Sequence, residues 1–242
     1  MTDVLAMLSW GDGGWGRLLF QGLLVTLGVA AMALPIGLVG GLLLALGERS
    51  ARVTLRWFCR LWKTAFQAIP ELLTLFVLYI SIAKAISALA KLVGVAQGWT
   101  PSPMVVGALA LGLVFASFAA EVWRAALDGV GRGQSDGARS IGLSKVQALR
   151  LVILPQALQL ALPGLGNLWV ILLKDTALVS ILAVPDLMRQ INLAVASTRE
   201  PFLFYLVACF IYIALTTVSE QLLRRATSRR RSGWAAALTE RG

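Results

Sequence analysis

Two stretches of this chain, Leu18 to Leu46 and Phe202 to Leu223, stay apolar for longer than the ~20 residues a helix needs to cross a bilayer. Glu220, near an end, is the only charge in either. A soluble helical protein carries its apolar residues as a stripe with a charged face opposite, whereas these runs are apolar all round. Three further runs extend from about Thr64 to Leu92, Met104 to Leu127 and Leu151 to Leu173. With 58% hydrophobic residues, 14% charged residues and a mean hydropathy of +0.78, the composition lies outside that of a soluble domain. The sequence therefore predicts an all-α integral membrane protein of about five transmembrane helices.

The formal charge of +10 raises nucleic acid as a partner, but the basic residues sort by membrane topology instead. Arg49, Arg52, Arg56, Arg60 and Lys63 face the single acid Glu48 in one loop; Arg124, Arg132, Arg139, Lys145 and Arg150 form a second basic segment. The tail adds Arg224, Arg225, Arg229, Arg230, Arg231 and Arg241. Placing all three inside leaves the N-terminus, with Asp3 and Asp12 against Arg17, outside. Anionic lipid headgroups satisfy the tail arginines, so no nucleic acid is needed. The chain divides into an outer segment 1–17, a membrane domain 18–223 and a basic cytoplasmic tail 224–242.

Two cysteines and no histidine give too few ligands for a metal, and Cys59 in a loop and Cys209 inside a span do not make a disulfide. No cofactor is expected. No basic region opens the chain ahead of its first apolar run, so that run is expected to remain as a span rather than be cleaved as a signal. Trp10 and Trp15 suit the outer headgroup level. Gly94 to Pro103 holds the turn residues of an outer connection, and Lys174 to Pro201 is less apolar and reads as shorter helical pieces returning part-way into the bundle. The glycines Gly37, Gly40 and Gly41 allow helices to approach closely, and Phe66, Phe115 and Phe118 read as core or lipid-facing.

Between the third and fourth spans, Val130 to Arg150 is polar and reads as ordered structure. Asp136 near a helix start suits the macrodipole, Ala138 permits close approach to a partner, and Gly142 can take the left-handed conformation that ends a helix. Ser144 with Gln147 then makes a capping box that opens a second helix. The whole stretch from Gly133 to Ser144, followed by Val152-Ile153-Leu154-Pro155, resembles the cytoplasmic coupling motif of ABC importer permeases. It departs at Gly137, where the family has alanine, and at Asp136, where glutamate is usual.

The resemblance implies that Gln134, Asp136, Gly137, Ala138, Gly142 and Leu143 contact the ATPase. The chain has no phosphate-binding Gly-rich loop of its own, so it is not an enzyme, and ATP is hydrolysed on another subunit. Two other classes compete. A secondary transporter is usually longer and built on an internal repeat of its spans, and a non-transporting scaffold has no use for a coupling loop.

Phe66-Gln67-Ala68-Ile69-Pro70-Glu71-Leu72-Leu73, Glu121-Val122-Trp123-Arg124, Leu162 to Asn167, Lys174-Asp175-Thr176-Ala177-Leu178 and Glu200-Pro201-Phe202 are similar to the Q-type permease subunit of histidine, lysine, arginine, ornithine and opine importers. Gln67 and Ala68 replace that subfamily's arginine and glycine. The resemblance implies a type I ABC importer permease fold in a bacterial inner membrane. It also implies import of amino acids, and three kinds of partner: an ATP-binding subunit dimer, a second homologous permease subunit and a periplasmic substrate-binding protein.

An acid within a span costs about 2.5 to 3.5 kcal/mol on insertion scales, so it usually faces a cavity or a partner. Asp175, beside Thr176 at the end of the fourth helix, has two readings: it accepts a cationic group of the substrate, or it pairs with Lys174 at the outer interface. Glu121 has Arg124 one turn on and suits an intrahelical ion pair. Glu71, near the cytoplasmic end of its helix, suits a gate or packing as well as a substrate contact. Gln67 joins these as a substrate-pathway candidate through the resemblance.

Overall fold

The computed structural model describes residues 7–11, 13–94 and 99–239. Its order is α1 (Gly16–Glu48), α2 (Val53–Ala68), α3 (Glu71–Leu92), α4 (Pro103–Gly129), α5 (Arg132–Ser140), α6 (Lys145–Ala148), a π-helical turn (Leu149–Ile153), α7 (Leu154–Val179), a 3-10 turn (Ser180–Leu182), α8 (Leu187–Thr198) and α9 (Pro201–Thr239). Five stretches are long and apolar enough to cross a membrane: Gly16–Glu48, Glu71–Leu92, Pro103–Gly129, Lys145–Leu182 and Pro201–Leu223. The side chains of Arg224, Arg229, Arg230 and Arg231, and all of Arg241 and Asp3, lie outside the described residues.

The bundle is built around α4. In its most apolar stretch 67% of residues are buried, against 11% for α3 and for Pro201–Leu223, so the last two present most of their surface outward. Helix α1 lies along α4 over much of its length, and α7 packs against both. Small residues set the α1–α4 spacing. A Cβ added at Gly41 would lie 2.7 Å from the Ala119 methyl, and one at Gly112 would lie 2.9 Å from Ile36 and 3.0 Å from the Ala33 carbonyl oxygen. Lipid is as apolar as leucine, so helices here associate through close backbone approach rather than burial alone. Trp123 on α4 adds a polar pin by donating its Nε1–H to the Leu38 carbonyl at 3.1 Å.

A second, smaller core joins α8 to the starts of α1 and α9 through Leu19, Leu187, Ile191, Ala194, Phe204 and Ala208. The Leu187 amide donates to Thr26 Oγ1 at 3.1 Å, and Asp186 caps α8 by accepting from the Arg189 amide at 3.1 Å. Left-handed Ala183 and Arg199 bracket this piece. The shorter returning helix expected before Pro201 is therefore α8.

Three expectations need correction. The basic loop before the second span is largely helical, and Cys59 is buried within α2. Pro70 separates α2 from α3, so the second span begins at Glu71 rather than Thr64, because Ile69 is extended before the proline as its ring demands. The fourth helix does not end at Leu173 but runs on through Asp175 to Val179.

Gly112→Val is expected to force α1 and α4 apart and cost about 1 to 3 kcal/mol. The check is the thermal midpoint of the purified chain, compared with Gly133→Ala, where a Cβ meets nothing within 4 Å and no loss is expected.

Candidate functional site

Two places gather the candidate residues: the polar corner between α4 and α7, and a cavity on the flank of the bundle. At the corner, Gly142 has φ +85, the left-handed region that glycine enters without steric cost. Its amide donates to the Arg139 carbonyl at 3.0 Å, and the Leu143 amide donates to the Ala138 carbonyl at 3.1 Å. This paired 5→2 and 6→1 closure is a Schellman motif and stops α5 at Ser140. Two residues later the Gln147 amide donates to Ser144 Oγ at 3.3 Å while the Ser144 amide donates to Gln147 Oε1 at 2.9 Å. One helix thus ends and the next begins within four residues, each with its backbone groups satisfied.

The second arm of the corner does not stop. After α6 the chain makes a π-helical turn over Leu149–Ile153 and continues into α7. Pro155 has no amide to donate to the carbonyl four residues back, and Gln156 Nε2 donates to the Val152 carbonyl at 3.0 Å, which together favour a wider turn here. Gln156 Nε2 also donates to Gln134 Oε1 at 3.2 Å, tying α5 to the base of α7.

Two residues behave differently from expectation. Ala138 is only 5% exposed and faces inward, so its small size serves the packing of α5 on its own second arm, not the approach of a partner. Asp136 lies in the middle of α5, which begins at Arg132, so the macrodipole does little for its exposed carboxylate. Its backbone carbonyl accepts from Ser140 Oγ at 2.9 Å. Of the candidates, Gln134, Asp136, Gly137 and Gly142 are exposed on the corner beside Arg132, Arg139, Ser140 and Lys145, with Ile141 77% exposed at the tip and Leu143 half-buried. A Cβ at Gly137 meets nothing within 4 Å, so alanine fits there equally well.

On the flank of the bundle, Glu71 at the start of α3 and Asp175 on α7 line one partly open cavity of about 100 Å³, with their carboxyls close to each other. The other walls are Leu111, Val114, Phe115 and Phe118 from α4 and Leu168, Ile171 and Leu172 from α7. Each helix contributes residues three, four and seven apart, one continuous face. Phe115 and Phe118 are thus cavity walls as well as core. In the sequence, the i, i+3, i+4, i+7 face of Leu168, Ile171 and Leu172 that ends on Asp175 marks the α7 wall, and nothing comparable marks Phe115 and Phe118. Lys174 points outward, and no Lys174–Asp175 ion pair occurs among the described residues.

The remaining pathway candidates stand elsewhere. Thr176, one residue on from Asp175, is turned the other way, is buried and donates to the Leu173 carbonyl at 2.6 Å. Gln67 Nε2 donates to the Ser117 carbonyl at 3.1 Å and ties α2 to α4. Glu121 does pair with Arg124 at 3.4 Å, but its shorter partner is Lys63 at 2.8 Å, which also reaches Glu48 at 2.8 Å. Burial opposes the Lys63 charge, yet these two carboxylates outweigh it and hold the ammonium above its ordinary range. Lys63 thereby joins the C-terminal parts of α1, α2 and α4, a link invisible in a sequence where its acids are 15 and 58 residues away.

The chain matches the family model of the binding-protein-dependent transport system inner membrane component over residues 37–232. It belongs to that family. The octopine transport system permease protein OccQ of Rhizobium meliloti is 36% identical over 230 residues, covering 95% of this chain and 97% of the relative. The arginine ABC transporter permease protein ArtQ of Escherichia coli K12 is 34% identical, covering 83% and 90%. The histidine/lysine/arginine/ornithine permease protein HisQ of the same organism is 32% identical, covering 87% and 92%. Among solved structures, an amino acid ABC transporter crystallised with histidines superposes with a TM-score of 0.76 at 29% identity, covering 94% and 98%. A methionine transporter permease of 17% identity, TM-score 0.60, shares the fold. The chain is a multi-pass inner-membrane transport component, in keeping with its five apolar helices.

Removing the Lys63 charge leaves the buried Glu48 carboxylate without a cation, while the half-exposed Glu121 keeps only its pair with Arg124. Lys63→Met is expected to lose about 3 kcal/mol or more. A thermal melt in detergent checks this, with partial recovery expected when Glu48→Gln and Glu121→Gln are added.

Proposed function

We propose that this chain is the permease subunit of an ATP-driven importer of amino acids with cationic side chains or of opines, and that movement at its cytoplasmic corner is carried to the Glu71–Asp175 cavity. The observation that carries this is the single helical rod from Lys145 to Leu182. It has the capped corner at one end and Asp175 about 45 Å along it, at 1.5 Å per residue. A rod whose base is fixed to α5 by Gln134–Gln156 moves as α5 moves.

The proposed partners follow from the family: an ATP-binding subunit dimer at the corner, a second homologous permease subunit, and a periplasmic substrate-binding protein. ATP is hydrolysed on the partner. The corner contacts proposed are Gln134, Asp136, Gly137, Gly142 and Leu143, with Ile141 at the tip and Ala138 supporting from inside. The distribution of the basic segments supports an N-terminus in the periplasm and a tail, from 224 on, in the cytoplasm, on either side of a permease domain proposed to span 18–223.

The cavity suits a cation. Two carboxyls converge on a space too small for a whole amino acid but adequate for a guanidinium or ammonium head, with phenyl rings from Phe115 and Phe118 beside it. Relatives bear the names of arginine, histidine, lysine and ornithine transport, which matches that chemistry.

Asp175→Asn removes one charge-assisted contact worth ~1.5 kcal/mol or more, so uptake of arginine at subsaturating concentration is expected to fall about tenfold while the subunits still assemble. Unchanged uptake would remove Asp175 from the substrate path. Gly142→Val places a β-branched residue at φ +85, a cost of about 1 to 2 kcal/mol that straightens the corner. The variant is expected to reach the membrane but retain the ATPase subunit poorly, measured by co-purification and by ATP-dependent uptake in vesicles.

A further inference from the structure

We propose that the flank of α2 beside its bundle-facing side is a docking surface for anionic phospholipid headgroups of the cytoplasmic leaflet, held by Arg52, Arg56 and Arg60. Arg52, the residue that precedes α2, and Arg56 and Arg60 within it recur every four residues and line one stripe, with Arg52 and Arg60 exposed and Arg56 half-buried. Among the described residues none of the three has an acidic partner within ion-pair distance, because the acids nearby are already engaged. Glu48 and Glu121 hold Lys63, and Asp128 holds Arg49 at 3.3 Å.

Depth follows from register. Lys63 meets Glu121 and Gln67 meets the Ser117 carbonyl, so one turn forward along α2 is one turn back along α4. Continuing that antiparallel register brings Arg60 to the level of Arg124, Arg56 to the level of Asp128, and Arg52 just past the end of α4 at Gly129. Asp128 and Arg49 are exposed and mark the polar edge of the bundle. The stripe therefore extends about 12 Å along the helix, starting from this polar edge.

Beside the arginines the same helix turns apolar residues away from the bundle. Val53, Trp57 and Leu61 follow at the next helical position, with Trp57 63% and Leu61 68% exposed, and Phe58 stands next to them. A phosphodiester on the arginines with acyl chains over Trp57 and Leu61 satisfies both halves of this surface at once. A soluble phosphate satisfies only the first, and an acidic protein surface leaves Trp57 and Leu61 in water. Anionic lipid is the occupant that fits, with juxtamembrane cations contributing about 1 kcal/mol each.

The test uses the full-length chain, with whichever subunits accompany it, in nanodiscs of phosphatidylcholine containing 20 to 30% brominated phosphatidylglycerol or brominated phosphatidylcholine (~25%). Bromine quenching of the fluorescence component that Trp57→Phe abolishes should be about threefold stronger with the anionic lipid. In the triple variant Arg52→Gln, Arg56→Gln, Arg60→Gln the preference should vanish, and in the corresponding triple lysine variant it should persist. The lysine variant separates loss of charge from loss of fold. A preference unchanged by the glutamine substitutions would overturn the proposal. So would full competition by millimolar glycerol phosphate, which would make this a free-phosphate site. Loss of an accompanying subunit with lipid preference intact would make it a protein interface and equally overturn the assignment.

Discussion

The close seam between α1 and α4 is the constraint on which the other arrangements depend. In a bilayer there is no hydrophobic gain from bringing two apolar helices together, so a bundle holds only where backbones come near enough for dispersion and polar pins to act. Gly41 and Gly112 allow that approach, and Trp123 donating to the Leu38 carbonyl locks its height. With α1 and α4 fixed, Glu48 and Glu121 stand where Lys63 can bridge them, and α2 is set in place by charge. The chain then bends at Pro70, and Glu71 arrives at the mouth of the cavity that α4 and α7 line. A shift of α4 against α1 would disturb each of these in turn.

The corner at Gly142 works in the opposite manner, chiefly through local satisfaction. Its Schellman closure and capping box use backbone groups within ten residues of one another, so the geometry survives whatever the bundle does. That independence is useful in a part proposed to receive force from another subunit. The two elements need a connection that is stiff but not seamless, and the π-helical turn at Leu149–Ile153 supplies it. Such turns widen a helix by one residue without breaking it, and here the proline that causes the turn lies at the junction of corner and span.

These two kinds of structure explain what was legible from residues alone. The five spans, the left-handed Gly142 and the Ser144–Gln147 box are local, determined by hydropathy, steric freedom and three-residue spacing, and they are present as the sequence implies. Features that depend on which helix lies beside which were not legible. Glu121 has an evident partner in Arg124, three residues away, and a shorter one in Lys63 that only the fold reveals. Ala138 looks like a contact surface because it is small, yet it is small because α5 packs on its own second arm. The fourth helix appeared to stop at Leu173 because Lys174 and Asp175 are charged, but a charge ends an apolar run without ending a helix.

That last distinction decides how Asp175 should be understood. Were the helix to end at Leu173, Asp175 and Lys174 would sit together in a loop at the aqueous interface, free to turn toward each other. In a continuous helix they are separated by about 100° of rotation. Lys174 is then carried out to the surface while Asp175 is carried inward against Glu71 and the phenyl rings of α4. The pairing of two acids across a span is unfavourable in itself, and a fold that sought only stability would place an amide or a cation at one of the two positions. Keeping both carboxyls beside a small, otherwise apolar cavity accords with the proposed role, in which the missing cation is supplied from outside and leaves again.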